Sequence, residues 1–69
     1  MKWVQINRAH FNADLICSFH YNHTKRMLYV WFVGDHSPEG YDDPDKENYL
    51  RLCRALGVAP IEEGHYGQS

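Results

Sequence analysis

The chain has 69 residues, which is enough for one small domain. Its 43% hydrophobic and 14% aromatic content excludes the disordered class, and a formal net charge of −2 argues against a dedicated nucleic-acid binder. No apolar run approaches the ~20 residues of a spanning helix. The two cysteines come without an export signal, so we expect reduced thiols and a cytoplasmic protein that does not associate with membranes.

The N-terminal third predicts two strands separated by a bend. Residues 2–8 alternate Val4 and Ile6 with polar or aromatic neighbours, as a half-buried strand does. The polar residues of 7–12 predict the bend. Residues 13–21 predict the second strand, with odd-numbered positions on one face and even-numbered positions on the other.

A hairpin and a fourth, shorter strand follow. Residues 22–25 predict the hairpin tip, and residues 26–33 give the strongest strand signal because the run from Tyr29 to Val33 is entirely β-branched or aromatic. Residues 34–40 are rich in glycine, proline and serine and predict a loop. Tyr41 is expected on a short fourth strand.

A helix is predicted after residue 43. Asp43 suits the N-cap, Pro44 suits the first helical position, and Gly57 suits a left-handed stop. Between them, apolar residues recur at i, i+3, i+4 and i+7 and form one stripe. The stripe consists of Tyr49, Leu52, Cys53 and Leu56.

The expected fold class is therefore α+β, an antiparallel three- to four-stranded β-meander with one C-terminal α-helix packed on one face. Residues 1–61 are expected to form the single compact domain, in the order β-β-β-(β)-α. Residues 62–69 are expected to form a flexible tail.

One helix can cover only one face of such a sheet. We expect the helix to cover the face whose side chains are mostly aliphatic or compact. That face consists of Val4, Ile6, Leu15, Cys17, Phe19, Leu28, Val30 and Phe32. The opposite face would then carry a mixture of aromatic and polar residues: Trp3, Gln5, Ile16, Ser18, His20, Tyr29 and Trp31. Exposed apolar patches mark interaction sites, and tryptophan and tyrosine are enriched in binding hot spots.

Two interpretations of the open face follow. The first is a non-catalytic protein-interaction or self-association surface, with a protein partner or a homodimer, formed by Trp3, Gln5, Ser18, His20, Tyr29 and Trp31. The alternative is single-stranded nucleic-acid binding, in which the aromatic residues stack on bases and His23, Lys25 and Arg26 at the hairpin tip contact phosphates. A third possibility is that Trp3 and Trp31 cover each other as a minor core.

Enzymatic and metal sites are not expected. Cys17, His20 and His23 are spaced by three residues, but residues three apart on a strand point to opposite faces and do not converge on a metal. Both cysteines are expected to face the core, away from any substrate. A sheet this small leaves little room for a pocket of ~300 Å³. The sequence therefore predicts no catalytic residue, no metal ligand and no cofactor.

Residues 16–56 resemble the KTSC domain family in layout. The resemblance rests on Leu28-x-Val30-x-Phe32, the glycine that follows at Gly34, and a later group consisting of Tyr41, Pro44, Tyr49 and Leu52. The sequence departs from the family pattern by a longer insertion at residues 35–39 and by an extra N-terminal strand. The resemblance implies a small accessory domain, often attached to larger proteins, with no catalytic residues to carry over.

Overall fold

The computed structural model describes residues 2–61, which form five strands and one α-helix. The strands make two antiparallel sheets, a two-stranded hairpin and a three-stranded sheet. The α+β class and the three-stranded meander expected from the sequence are confirmed. The predicted tail lies outside the described residues.

The first hairpin pairs β1, Trp3–Ile6, with β2, Ala9–Asn12. The expected bend over residues 7–12 is therefore wrong: only Asn7 and Arg8 turn, and the following residues pair back onto β1. Asn7 has a φ of 53°. This left-handed conformation, which asparagine adopts more readily than most residues, reverses the chain within two residues.

The three-stranded sheet comprises β3, Ile16–Asn22, β4, Met27–Phe32, and β5, Glu39–Asp42. Strand β4 is central, and β3 and β5 are the two edges. Residues 23–26 make the tip between β3 and β4, close to the prediction. The short strand around Tyr41 is present as β5.

The start of β3 departs from the expected alternation. A short 3-10 helix, Ala13–Leu15, precedes the strand, and the register shifts between Ile16 and Ser18. Because this bulge inserts an extra residue, Ile16 packs against the core while Cys17 is exposed. Leu15, in the 3-10 helix that precedes the strand, is exposed as well. The predictions that Leu15 and Cys17 are buried and that Ile16 faces outward are therefore wrong.

Helix α1, Glu47–Leu56, buries the predicted stripe, with Tyr49, Leu52 and Cys53 in the core. It begins later than predicted, because a turn closed by the Lys46 N–H on the Asp43 carbonyl (3.0 Å) precedes it. The Asp43 carboxylate nevertheless caps the helix. Its two oxygens accept from the backbone N–H groups of Asn48 (3.0 Å) and Tyr49 (2.9 Å).

The core lies between two layers. Leu28 and Val30 of the three-stranded sheet, both fully buried, face Val4 and Ile6 of β1 and the stripe of α1. Ring contacts join the layers on both sides: Phe11 of β2 meets Phe32 at 5.4 Å, and Phe19 of β3 meets Tyr49 at 5.7 Å. The first hairpin and α1 therefore lie side by side on the same face of the three-stranded sheet.

No helix within residues 2–61 is long and apolar enough to cross a membrane.

Candidate functional site

The outward face of the three-stranded sheet carries four of the six predicted surface residues. Ser18 pairs with Trp31 across β3 and β4, and His20 pairs with Tyr29, so the four side chains form a compact block on the solvent side. Ser18 and His20 are exposed, and Tyr29 and Trp31 are half-buried. We call these four residues the aromatic face. Within residues 2–61, the first hairpin and α1 pack on the opposite side.

Gly40 of β5 shapes the aromatic face. It pairs with Tyr29, and a Cβ atom at this position would lie 3.2 Å from Tyr29 Cε1 and 3.1 Å from Met27 Cε. The Tyr29 ring and the Met27 side chain therefore lean across the edge strand where glycine leaves space, and the Tyr29 hydroxyl lies 3.8 Å from the Met27 sulfur. A side chain at position 40 would push the Tyr29 ring and the Met27 side chain slightly out of these positions.

Trp3 and Gln5 do not belong to this face. They lie on the outward side of the first hairpin, a separate sheet whose inward side is Val4 and Ile6. Since that hairpin covers the inner face of the three-stranded sheet, its own outward side points away from the aromatic face. The expectation of one continuous face is therefore wrong. Trp3 is 58% exposed, and no ring contact among residues 2–61 joins it to Trp31, so the two do not form a minor core.

The hairpin tip places its basic residues beyond the end of the aromatic face. Lys25 and Arg26 are exposed, whereas His23 is half-buried with its ring 4.9 Å from that of Tyr21. Arg26 has a φ of 54°, and its carbonyl accepts the Asp43 N–H at 3.1 Å. The tip is thus tied to the β5–α1 connection, and two of the three predicted phosphate contacts project into solvent.

A groove of about 410 Å³ opens between the start of β3 and the C-terminal end of α1. Its size runs against the expectation that so small a sheet leaves little room for a pocket of ~300 Å³. The lining is mostly apolar and includes Phe19, Leu56 and Ile61. Sequence reasoning missed it because the groove depends on the β3 bulge, which turns Cys17 outward, and a bulge leaves no clear pattern in the sequence.

The groove contains thiols but no acid or base of the usual catalytic kinds. Cys17 and Cys53 line it, and no histidine, aspartate, glutamate, lysine or arginine does so within the described part of the chain. Burial raises the pKa of the Tyr49 hydroxyl. The Ile61 N–H, which donates to Tyr49 Oη at 3.0 Å, lowers that pKa, and Cys53 raises it further. A hydroxyl with a raised pKa stays neutral at physiological pH, so it does not serve as a base.

Metal-ligating side chains are dispersed. Among the residues that the structure describes, no three histidine, cysteine, aspartate or glutamate side chains are grouped as a metal site requires. Cys17, at the bulge, and His23, at the tip, lie at opposite ends of β3.

Comparison with known proteins gave no match to a family model, a curated protein or a solved structure. The resemblance to the KTSC family therefore stays a prediction.

Proposed function

We propose that this domain is a non-catalytic protein-interaction module whose contact surface is the aromatic face. The observation that carries the proposal is the outward placement of Tyr29 and Trp31 on the central strand, with exposed Ser18 and His20 paired to them. Aromatic side chains that keep part of their surface in water provide large contact areas at low conformational cost.

The composition around the aromatic face supports protein rather than nucleic acid as the partner. No outward position of β3 or β4 carries a formal charge, and the outward positions of β5 are Gly40 and the acidic Asp42. Interface cores are similarly depleted of charged residues and enriched in tryptophan, tyrosine and methionine. Met27 extends the apolar part of the face toward the hairpin tip.

Trp31→Glu tests the proposal. We expect the variant to remain folded, because Trp31 is not part of the buried core, and to lose partner binding because a carboxylate replaces the largest contact residue. Solution mass by light scattering across a concentration series shows whether wild type self-associates. Affinity capture followed by mass spectrometry identifies other partners.

Trp3→Glu is the matched control, since it makes the same change on the outward side of the other sheet. A wild-type dimer, or a set of captured proteins, that Trp31→Glu loses and Trp3→Glu retains supports the proposal. If Trp31→Glu keeps every partner that wild type has, the aromatic face is not the contact surface and the proposal fails.

Single-stranded nucleic acid is the alternative ligand for the same face. Exposed Lys25 and Arg26 favour it, because they could meet phosphates while a base stacks on Tyr29. Binding of this kind weakens steeply as salt concentration rises. Titration with an oligonucleotide at two salt concentrations, for wild type and for Lys25→Ala, distinguishes the two functions.

A further inference from the structure

The size of the aromatic face limits what can bind there. Along the strands, the outward residues run from 18 to 22 in β3 and from 27 to 31 in β4, a length of four residue steps or roughly 13 Å. Across the sheet, three strands span roughly 10 Å. A stable interface between folded proteins needs about 800 Å² on each side, several times this footprint. A short segment of chain fits the available surface, whereas a second folded copy would make most of its contacts elsewhere.

The chemistry of the face selects among the ways in which short segments are recognised. Strand addition uses the main chain of a sheet edge, but Tyr29 and Trp31 belong to the central strand. Phosphorylated or acidic segments need a cluster of arginines, and the outward positions of β3 and β4 hold none. An amphipathic helix buries a row of apolar anchors at i, i+3, i+4 and i+7, whereas the aromatic face offers two rings paired with polar Ser18 and His20. A polyproline II segment docks against aromatic rings, and Tyr29 and Trp31 present two of them side by side on the central strand.

Hydrogen-bonding groups on the face match this ligand. A polyproline II segment makes no internal hydrogen bonds, so its carbonyl oxygens remain free to accept. The indole N–H of Trp31 can only donate, and the half-buried side chain keeps part of its surface in water. Exposed His20 and Ser18 lie across the strand pair from the two rings and can donate as well. Neutral donors beside aromatic rings complement neutral acceptors beside proline rings.

From these observations we infer that the aromatic face binds a short proline-rich segment in the polyproline II conformation. This inference rests on the proposed function and names its partner. Such a segment is already ordered before it binds, so little conformational entropy is lost and a small contact area is sufficient. Tyr29 and Trp31 would contact the proline rings, with Gly40 keeping the Tyr29 ring in place.

The test uses the full chain with Trp3→Phe, which leaves Trp31 as the sole tryptophan and its fluorescence as a local probe. The probe ligand is an oligoproline of about ten residues, roughly three turns of polyproline II helix. A glycine–serine peptide of equal length is the control ligand. We expect a saturable change in Trp31 emission with the first and none with the second.

Two substitutions in this background locate the site. Tyr29→Ala is expected to weaken oligoproline binding about tenfold, as loss of a hot-spot aromatic does. Gly40→Ala is expected to weaken it by a smaller factor, because the new Cβ lies 3.2 Å from Tyr29 Cε1 and shifts the ring slightly. Should Tyr29→Ala fail to fold, the exposed pair His20→Ala and His10→Ala gives the same comparison. His20 lies on the aromatic face, whereas His10 lies on the outward side of the first hairpin.

The outcomes separate the inference from the proposed function. Absence of saturation at millimolar oligoproline overturns the inference, and so does binding that Tyr29→Ala leaves unchanged, or that His20→Ala leaves unchanged should Tyr29→Ala fail to fold. In those cases the proposed function stands if Trp31→Glu still removes protein partners. A response to oligouridine that fades with added salt, without a response to oligoproline, overturns both in favour of nucleic-acid binding.

Discussion

Asp43 is 2% exposed, and among residues 2–61 its carboxylate accepts hydrogen bonds from the backbone N–H groups of Asn48 and Tyr49. Its carbonyl accepts from the Tyr21 hydroxyl at 2.7 Å. The positive end of the helix dipole and the two N–H groups take the place of a neutralising cation. Through its backbone carbonyl and its side chain, this one residue thus joins the three-stranded sheet to the start of α1.

Around this residue the backbone adopts left-handed conformations at three non-glycine positions, which are Asn7, Arg26 and Lys46. Asn7 donates from its amide to the Asp42 carbonyl, while Arg26 accepts from Asp43 and Lys46 donates to it. Left-handed backbone costs roughly 1–2 kcal/mol for an ordinary residue. The hydrogen bonds at all three positions stabilise the segment that connects β5 to α1.

Asp43→Ala is expected to lower the free energy of unfolding by about 2 kcal/mol, because two buried N–H groups lose their acceptor. Asp43→Asn retains one oxygen acceptor and should cost less. Urea denaturation followed by circular dichroism measures both values. Equal stability of wild type and Asp43→Ala would show that water or a neighbouring group replaces the cap.

Helix α1 ends as its sequence predicts. Gly57 has a φ of 73°, and the Val58 N–H donates to the Cys53 carbonyl at 2.9 Å. This is the 6→1 hydrogen bond that spans a left-handed residue at a helix C-terminus. The surrounding space is open within the described part of the chain, where nothing lies within 4 Å of a Cβ atom at position 57. The requirement for glycine is therefore conformational and not steric.

Gly57→Ala should therefore destabilise the domain by about 1 kcal/mol, the cost of holding alanine in the left-handed region. Gly57→Asn should cost less, because asparagine adopts this conformation more readily. Thermal or urea unfolding of the two variants checks the order. Alanine as stable as glycine would mean that the helix end rearranges.

At the scale of the whole molecule, alkaline pH is expected to reduce stability. Burial raises the pKa values of both Tyr41 and Tyr49, and the charge of Glu39 adds to the effect at Tyr41. Above the ordinary tyrosine pKa of 10.0, the unfolded chain releases protons that the folded chain retains. The stabilisation is complete below about pH 10 and is lost as pH rises through the folded-state pKa values.

Tyr41→Phe isolates one of these two groups, because it removes the hydroxyl and keeps the ring that contacts Phe11. Urea midpoints measured between about pH 9 and pH 11 should fall less steeply in this variant than in wild type. If the urea midpoints of wild type and Tyr41→Phe fall in parallel with pH, the pKa of the Tyr41 hydroxyl is the same in the folded and the unfolded chain.

The parts of the fold that follow from local patterns were predictable. The apolar stripe of α1, the stop at Gly57 and the parity of β4 all follow from side-chain spacing and glycine chemistry. Strand β2 was missed because Asn7-Arg8 is a weak turn signal compared with Asn-Gly. The bulge at Cys17 was missed because it arises from the pairing of β3 with β4, and pairing is not encoded in a single strand.

The candidate site was predictable only in part. Ser18, His20, Tyr29 and Trp31 share a face because their parity is local to one hairpin. Trp3 and Gln5 were assigned to the same face because strand order could not be derived from the sequence. Which sheet a strand joins is decided by long-range packing, here of Phe11 against Phe32 and Tyr41.

The side-by-side arrangement of β1 and α1 has a consequence for how the chain folds as it is synthesised. Lys2 donates to the Ala55 carbonyl, and Asn7 exchanges hydrogen bonds with Asn48, so partners 53 and 41 residues apart complete the first hairpin. Within this domain, Val4 and Ile6 are synthesised before the other core residues, and the helix beside which they are buried is synthesised after all five strands. The apolar segment of β1 therefore cannot be buried until almost the whole domain has been synthesised. Until then the nascent chain exposes this segment to chaperones.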